Sequence, residues 1–575
     1  MLEFLAKISR ELLNRTKILW SAVGVALILI PVSTAMPPHP ELVRRISLGK
    51  AEASYYLSNL EGLRAVGIDA GSRPLFGATG IVAKPGVSGN FKILTLLVDF
   101  SDKPASVNAV DFDSLIYINI SGSVNNFYRQ NSYNALSIVS PVYPSVLGWY
   151  RAPQTYAYYT NNQNGLGAYP QNAQKLVEDI VNLADPYVDF SQFDNDSDGY
   201  VDGLIIAHAG PGAEFTGNNY DIWSHQWSIT PRLKDGVNIY TYSMNPEYWT
   251  APGDITLGVY SHELGHILGL PDLYDTDYSS KGIGNWSLMA GGSWNGVNGS
   301  SPSHFDAWSK IFLGFVTPTV PIVDQNSVSF PQVETNSTIY KLWTNGSPGL
   351  EYFLVENRQK NGYDTYLPSS GMLIWHVDDS KSGNDSEWWP GSGFLSHYEV
   401  AAIQADNLWE LEKDIDYGDS GDPYPGSATN RTFSSSSSPN SNSYAGTGTL
   451  VSVVNISNSG ATMTADIAVG SPQDIQSEES LIPEKVKLLG NVPNPFNPVT
   501  MIEFELTEEM PVRMEIFNLN GQKIRTLADD VFPPGIHQIK WDGRNSDLDD
   551  VSSGVYFYRI VGPGVIDNKK MLKLK

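Results

Sequence analysis

The 575-residue chain has no cysteine. That excludes disulfides and a cysteine–zinc latch, so an exported protein of this composition is held by its cores and by bound metals. Basic residues are scarce: 37 Lys and Arg against 62 Asp and Glu leave a net charge of −25. Binding a phosphate backbone needs basic patches, so nucleic acid is not an expected partner. An acidic surface instead favours solubility and calcium. A membrane-spanning run is missing too. Ile18 to Val32 is an apolar run of 15 residues, short of the ~20 that cross a bilayer. It follows the basic Lys7, Arg10, Arg15 and Lys17 and precedes the small Ser33, Thr34 and Ala35. That is the layout of an export signal, residues 1–35, cleaved after Ala35. An uncleaved anchor is the competing reading.

What is present centres on Leu257 to Trp294, which contains His262-Glu263-Leu264-Gly265-His266. On a helix of ~3.6 residues per turn, His262 and His266 share a face. Two imidazoles at that spacing can grip one Zn²⁺, and Glu263 stands where it can take a proton from water at the metal. Val259, Ile267 and Leu268 are apolar enough to pack the helix against a core. Gly269 is a natural stop and Pro271 keeps the helix from resuming. The chain then bends back, and Asp272 arrives six residues after His266 as a third ligand. The bland role for Asp272 is to cap the turn after Pro271, and Asp275 is a spare carboxylate.

A second metal pattern lies upstream. Asp194, Asp196, Asp198, the Tyr200 carbonyl and Asp202 place oxygens at positions 1, 3, 5, 7 and 9 of a loop with Gly199 at position 6. These are calcium-loop requirements, but position 12 is Ile205 where an EF-hand has Glu. A solvated acidic turn is the alternative. The acidic region Asp406 to Asp422 is a weaker candidate for an ion.

The strings HELGHILGLPDLYDTDY and NWSLMAGGSWNG, with Asp221 to Trp227 and Tyr352 to Arg358, resemble the immune inhibitor A-like secreted metalloproteases of the metzincin clan. The resemblance covers about residues 36 to 470. It implies zinc-dependent endopeptidase activity, bound calcium and a precursor with a propeptide. Met289, in a Gly-rich turn, matches the methionine that lies beneath the zinc in that clan. Several metzincins carry a Tyr two residues after the Met. Here that position is Gly291, so the oxyanion donor stays unassigned.

Residues 36–90, with a helical piece from Glu41 to Leu63, occupy the place of a propeptide. Residues 91–320 alternate strands and helices, as an α/β metzincin-like zinc protease lobe would. Strands are expected at Lys92 to Phe100, Leu136 to Val142 and Leu204 to Gly210, and helices at Ser123 to Ser132, Gln171 to Leu183 and Ser303 to Phe315, the last capped by Ser303. His225 and His208 read as packed histidines, and Glu214 as a weak cleft candidate. Residues 321–470 look all-β, where Arg358, His376, Asp378 and Asp379 read as strand-end caps. A linker follows at 471–484.

Residues 485–575 form a strand-rich module, with an immunoglobulin-like β-sandwich expected. Its NPFNP, WDGR, SGVYFYR and KKMLK segments resemble the C-terminal sorting domain of the type nine secretion system. That resemblance implies partnership with the secretion machinery, with release of the tail or attachment at the cell surface. The expected function is a secreted or surface zinc endopeptidase acting on proteins or peptides. Two alternatives stay open: a calcium-dependent surface adhesion protein with a protease-like lobe, and a zinc hydrolase of non-peptide bonds.

Overall fold

The computed structural model describes residues 34–65, 67–68, 87–470, 486–518, 523–546, 548–562 and 565–574. The expected signal peptide up to residue 33, residues 69–86 of the expected propeptide and the expected linker 471–484 lie outside them. The chain divides into two compact units, one ending at Gln473 and one beginning at Asp474. The first is mixed α/β and then antiparallel β; the second is antiparallel β throughout.

The first unit is built on a six-stranded sheet. In spatial order its strands are Thr34–Ala35, His225–Lys234, Val237–Tyr248, Leu204–Pro211, Leu94–Asp99 and Val146–Arg151. The last four run parallel, while Thr34–Ala35 and His225–Lys234 pair antiparallel. Leu94–Asp99 is buried along its whole length, and so is Leu204–Pro211 except at its final residue. Parallel strands covered on both faces need such continuous apolar runs rather than alternation. One face packs on the helix Ala173–Ala184, whose Leu176, Val177, Ile180 and Val181 are buried.

The other face packs on the helix Leu257–Ile267. Its core does not stop at the α/β region. Leu257, Tyr260 and Leu264 share one apolar cluster with Tyr352, Leu354, Trp375 and Val377 of the following β region. That region contributes a four-stranded antiparallel sheet, including Glu351–Arg358 and Gly371–Asp378, and a three-stranded one. Phe330, Phe353, Ile374, Phe433 and Met463 lie in the core they share.

The second unit has a three-stranded and a four-stranded antiparallel sheet. Thr500–Leu506 alternates buried and less buried residues, the signature of a sheet with one covered face. Trp541, Phe504, Met514 and Ile560 lie in its core. Three strands had no clear period in the sequence: Val486–Val492, Lys523–Phe532 and Val565–Lys573.

Two expectations are corrected. The helix expected at Glu41 to Leu63 is three short ones, Pro40–Ser47, Tyr55–Ser58 and Leu60–Ala65. Gly49 turns left-handed (φ 65°), and the Ser54 hydroxyl caps a new start by accepting from Leu57 N. The closing helix is shorter, Ala307–Phe312, and Asp306 caps it by accepting from Ser309 N at 2.9 Å. A carboxylate is a strong cap, and the Ser303 hydroxyl is used elsewhere, donating to Asn285 O and accepting from Asn295 Nδ2.

Arg358 is no strand-end cap. It is fully buried and grips Asp364 with two nitrogens, at 3.0 and 2.9 Å, while a third donates to Trp286 O at 3.1 Å. It thereby joins the β region to the segment leading into Met289. Removing one partner of a buried pair leaves an uncompensated charge. Arg358→Ala is therefore expected to cost about 3–5 kcal/mol, read as a lower urea midpoint. A midpoint unchanged from the parent would contradict this role.

Candidate metal centre

Leu257–Ile267 ends in a Schellman turn. Gly269, at φ 96°, lets its N–H reach His266 O, and Leu270 N–H reaches Gly265 O. A side chain with a Cβ would strain that left-handed conformation. Pro271 follows, and Leu273 N then donates to Met289 O at 2.8 Å. The turn thus carries Asp272 back over the helix and ties it to the methionine turn. Met289 is fully buried. A Cβ on Gly265 would stand 2.6 Å from its sulfur, so the methionine lies directly against the helix.

Three atoms converge there. His262 Nε2 and His266 Nε2 are 3.0 Å apart, and Asp272 Oδ1 lies 3.1 and 3.2 Å from them. Both Nδ1 atoms face carbonyls, His262 to Leu288 O at 2.9 Å and His266 to Leu270 O at 2.8 Å. A carbonyl only accepts, so each Nδ1 carries the proton and each neutral ring turns a bare Nε2 inward. Asp272 is buried, and neither of its oxygens finds a hydrogen-bond donor. Three electron-rich atoms at this separation repel one another unless a cation sits among them. Tetrahedral zinc at ~2.0–2.1 Å from each ligand sets ligand atoms ~3.3 Å apart, so the site fits zinc.

Electrostatics favour the same state. Burial pushes the His262 imidazole below its ordinary range, against the opposing pull of Asp272, and so keeps it neutral. Burial alone would raise the Asp272 carboxyl; positive charge beside it, on His266 or His262 when protonated, outweighs that and holds it below the usual carboxylate range, the part a bound cation would play with both rings neutral. Glu263 is fully buried on the same helix. Asp275 does not join the cluster. It organises its own loop, accepting from Ser279 and Ser280 hydroxyls at 2.9 and 2.6 Å, and burial pushes it up to about 6.

In the upstream loop, carboxylate oxygens of Asp194, Asp196 and Asp202 lie within 4.8 Å of one another. Asp198 is not in that group; its Oδ1 accepts from Tyr200 N at 2.9 Å. Asn195 anchors the loop by exchanging two hydrogen bonds with the Lys92 backbone. Downstream, Asp406, Glu410 and Asp419 make a similar group. His225 is packed, its Nδ1 on Trp223 O and its Nε2 on Tyr242 OH, and His208 is buried in its strand. Glu214 is buried and accepts from the Ser224 amide and hydroxyl, and burial raises it to about 7. His376 pairs with Glu351 at 2.9 Å, Asp378 with His397 at 2.8 Å, and Asp379 accepts from Trp308 Nε1.

Sequence reasoning missed the two carbonyls that orient the imidazoles, which carry no side-chain signal. It also missed Tyr274, whose hydroxyl donates to Ala35 O. Its closeness in sequence to Asp272 was the signal available.

Residues 117–315 match the family described as the immune inhibitor A peptidase M6 catalytic domain. That stretch is similar to an M6 peptidase catalytic domain. All three metal-facing residues and Glu263 lie within it. Residues 492–573 match a secretion system C-terminal sorting domain. The pre-pro-metalloprotease PrtV of Vibrio cholerae is 31% identical over 278 residues, covering 39% of this chain and 29% of PrtV. Immune inhibitor A of Bacillus thuringiensis subsp. alesti is 37% identical over 171 residues, 25% of each chain. The chain thus spans less than a third of the length of either relative. The structure of OgpA from Akkermansia muciniphila overlaps 87% of this chain and 96% of its own, at 11% identity and a TM-score of 0.23, too slight a likeness to bear on the fold.

Asp272→Ala removes one of the three buried donors of this candidate metal site. It is expected to weaken zinc retention at least about 100-fold, judged by competition with a graded chelator, since a three-residue site keeps only two ligands. Retention equal to the parent's would show that Asp272 is not a ligand.

Proposed function

We propose that the chain is a secreted zinc-dependent endopeptidase that hydrolyses protein or peptide substrates. The observation that carries this reading is the buried triangle of His262 Nε2, His266 Nε2 and Asp272 Oδ1, with both Nδ1 protons committed to carbonyls. His262, His266 and Asp272 hold the metal. Zinc, when bound, supplies a Lewis acid that acidifies a water molecule and polarises the scissile carbonyl. Glu263 takes the proton from the attacking water as its oxygen bonds to the carbonyl carbon. As the carbon–nitrogen bond breaks, Glu263 delivers that proton to the leaving amine. Met289 shapes the floor of the site.

Around that centre, residues 91–320 serve as a metzincin-like catalytic domain and 321–470 as its β-rich partner. Residues 1–35 act as a signal peptide, 36–90 as a propeptide of the zymogen and 471–484 as a linker. Residues 485–575 act as an immunoglobulin-like sorting sandwich that engages the secretion machinery and delivers the protein to the cell surface or the medium. Asp194, Asp196 and Asp202, with Asp198 and the Tyr200 carbonyl, bind a calcium ion that staples a chain without disulfides.

Two outcomes test the reading. Glu263→Ala is expected to keep zinc while hydrolysis of unfolded casein falls by about 10²–10⁴, the usual worth of a general base, and a chelator is expected to silence the parent. Undiminished cleavage in the mutant, or cleavage indifferent to chelation, sinks the mechanism. Calcium added to the zinc-loaded chain at 100 times its dissociation constant is expected to contribute about 2.7 kcal/mol. Melting temperature should rise in the parent and not in Asp194→Ala; equal shifts in both would remove calcium from this loop.

A further inference from the structure

One hydroxyl at the methionine turn makes every bond it can. Ser287 Oγ donates its proton to Asp306 Oδ2 at 2.7 Å. It accepts from Met289 N at 3.2 Å and from Asp306 N at 3.3 Å. A hydroxyl offers one proton and two lone pairs, so its capacity is used in full. Asp306 is as fully engaged. Its carboxylate also accepts from the Ser309 hydroxyl at 2.7 Å and from Ser309 N at 2.9 Å. Ser287, Asp306 and Ser309 are all fully buried, so no bulk water can replace a bond that is lost.

The next peptide feels this directly. Met289 N and Leu288 O belong to one planar peptide group. Holding the N–H on one side aims the C=O on the other. That C=O is the acceptor for His262 Nδ1, at 2.9 Å. The following carbonyl, Met289 O, accepts at 2.8 Å from the N–H of Leu273, the residue after Asp272. A displaced peptide would turn the His262 ring, free its Nδ1 proton to move to Nε2, and loosen the turn that carries Asp272. Asp306 is itself fixed as the cap of Ala307–Phe312, so the strut ends on a formed element.

We infer, resting on the zinc-peptidase reading, that Ser287 and Asp306 are positioning residues for the metal centre. Asp306 orients the Ser287 hydroxyl, and the hydroxyl orients the Leu288–Met289 peptide. That peptide holds His262 in the tautomer and ring angle that a metal requires. Neither side chain faces the metal. Asp306→Asn is nearly isosteric but reverses a polarity. With its amide toward Ser287, three N–H groups compete for two lone pairs on one hydroxyl. With its amide turned the other way, it faces Ser309 N, donor to donor.

The test uses the full chain. Zinc retention is measured by competition with a graded chelator in the parent, Ser287→Ala, Asp306→Asn and the double variant. Each single change is expected to weaken retention about 10- to 100-fold, the usual worth of a group that orients a ligating imidazole. The double variant is expected to lose no more than the worse single, because the two residues act in series. The visible spectrum of the cobalt-substituted chain is expected to change in both singles, since the ligand geometry changes. Ser309→Ala is the control. It removes another bond to Asp306 and leaves Ser287 engaged, so melting temperature falls while zinc retention stays at the parent's level. Retention at the parent's level in Ser287→Ala, an unchanged cobalt spectrum, effects that multiply in the double variant, or an equal loss in Ser309→Ala overturns the positioning role. Should Asp306→Asn not fold, as melting will show, retention and the cobalt spectrum of Ser287→Ala decide alone. A parent chain that takes up no zinc overturns the zinc reading and this role with it, an outcome distinct from zinc held equally by every variant.

Discussion

Two imidazole nitrogens and one carboxylate oxygen, all without protons, sit within 3.2 Å of one another in a buried place. Such an arrangement is repulsive by itself, and a cation makes it the most favourable one. Much of the first unit's local design serves that constraint. The glycine turn after the helix returns Asp272 to the histidines. The Leu288 and Leu270 carbonyls fix which imidazole nitrogens carry protons. Met289 supports the helix from beneath.

The helix in turn depends on cores that cross the boundary between α/β and β regions. Its apolar side, through Leu257, Tyr260 and Leu264, shares a cluster with strands some hundred residues later in the chain. Arg358 does the same in polar terms, since its bonds to Asp364 and Trp286 O pin the approach to the methionine turn from the β side. The β region therefore positions the site even though it supplies no metal-facing residue.

The clustering of His262, His266 and Asp272 was legible because their spacing is local: four residues on one helix, and six more through a turn announced by Gly269 and Pro271. The buried strand Leu204–Pro211 was legible for the same reason, a continuous apolar run of strand length. What escaped was non-local or carried by the backbone. The pairing of Thr34–Ala35 with His225–Lys234 joins segments nearly two hundred residues apart. The role of Arg358 depends on Asp364 and on a carbonyl from Trp286, which no period in the sequence connects. Ser303 was the expected cap, but its hydroxyl is engaged with Asn285 O and Asn295 Nδ2, and Asp306 caps the helix instead. The strands Val486–Val492 and Lys523–Phe532 lack the clean alternation that marked Thr500–Leu506.

The central claim is that one zinc ion completes the triangle. X-ray absorption at the zinc edge on the full chain tests it most directly. The account expects one zinc per chain with two imidazole nitrogens and oxygen donors at ~2.0–2.2 Å, and loss of one imidazole from that shell in His266→Ala. A chain that takes up no zinc, or zinc whose shell is the same in His266→Ala, would contradict it.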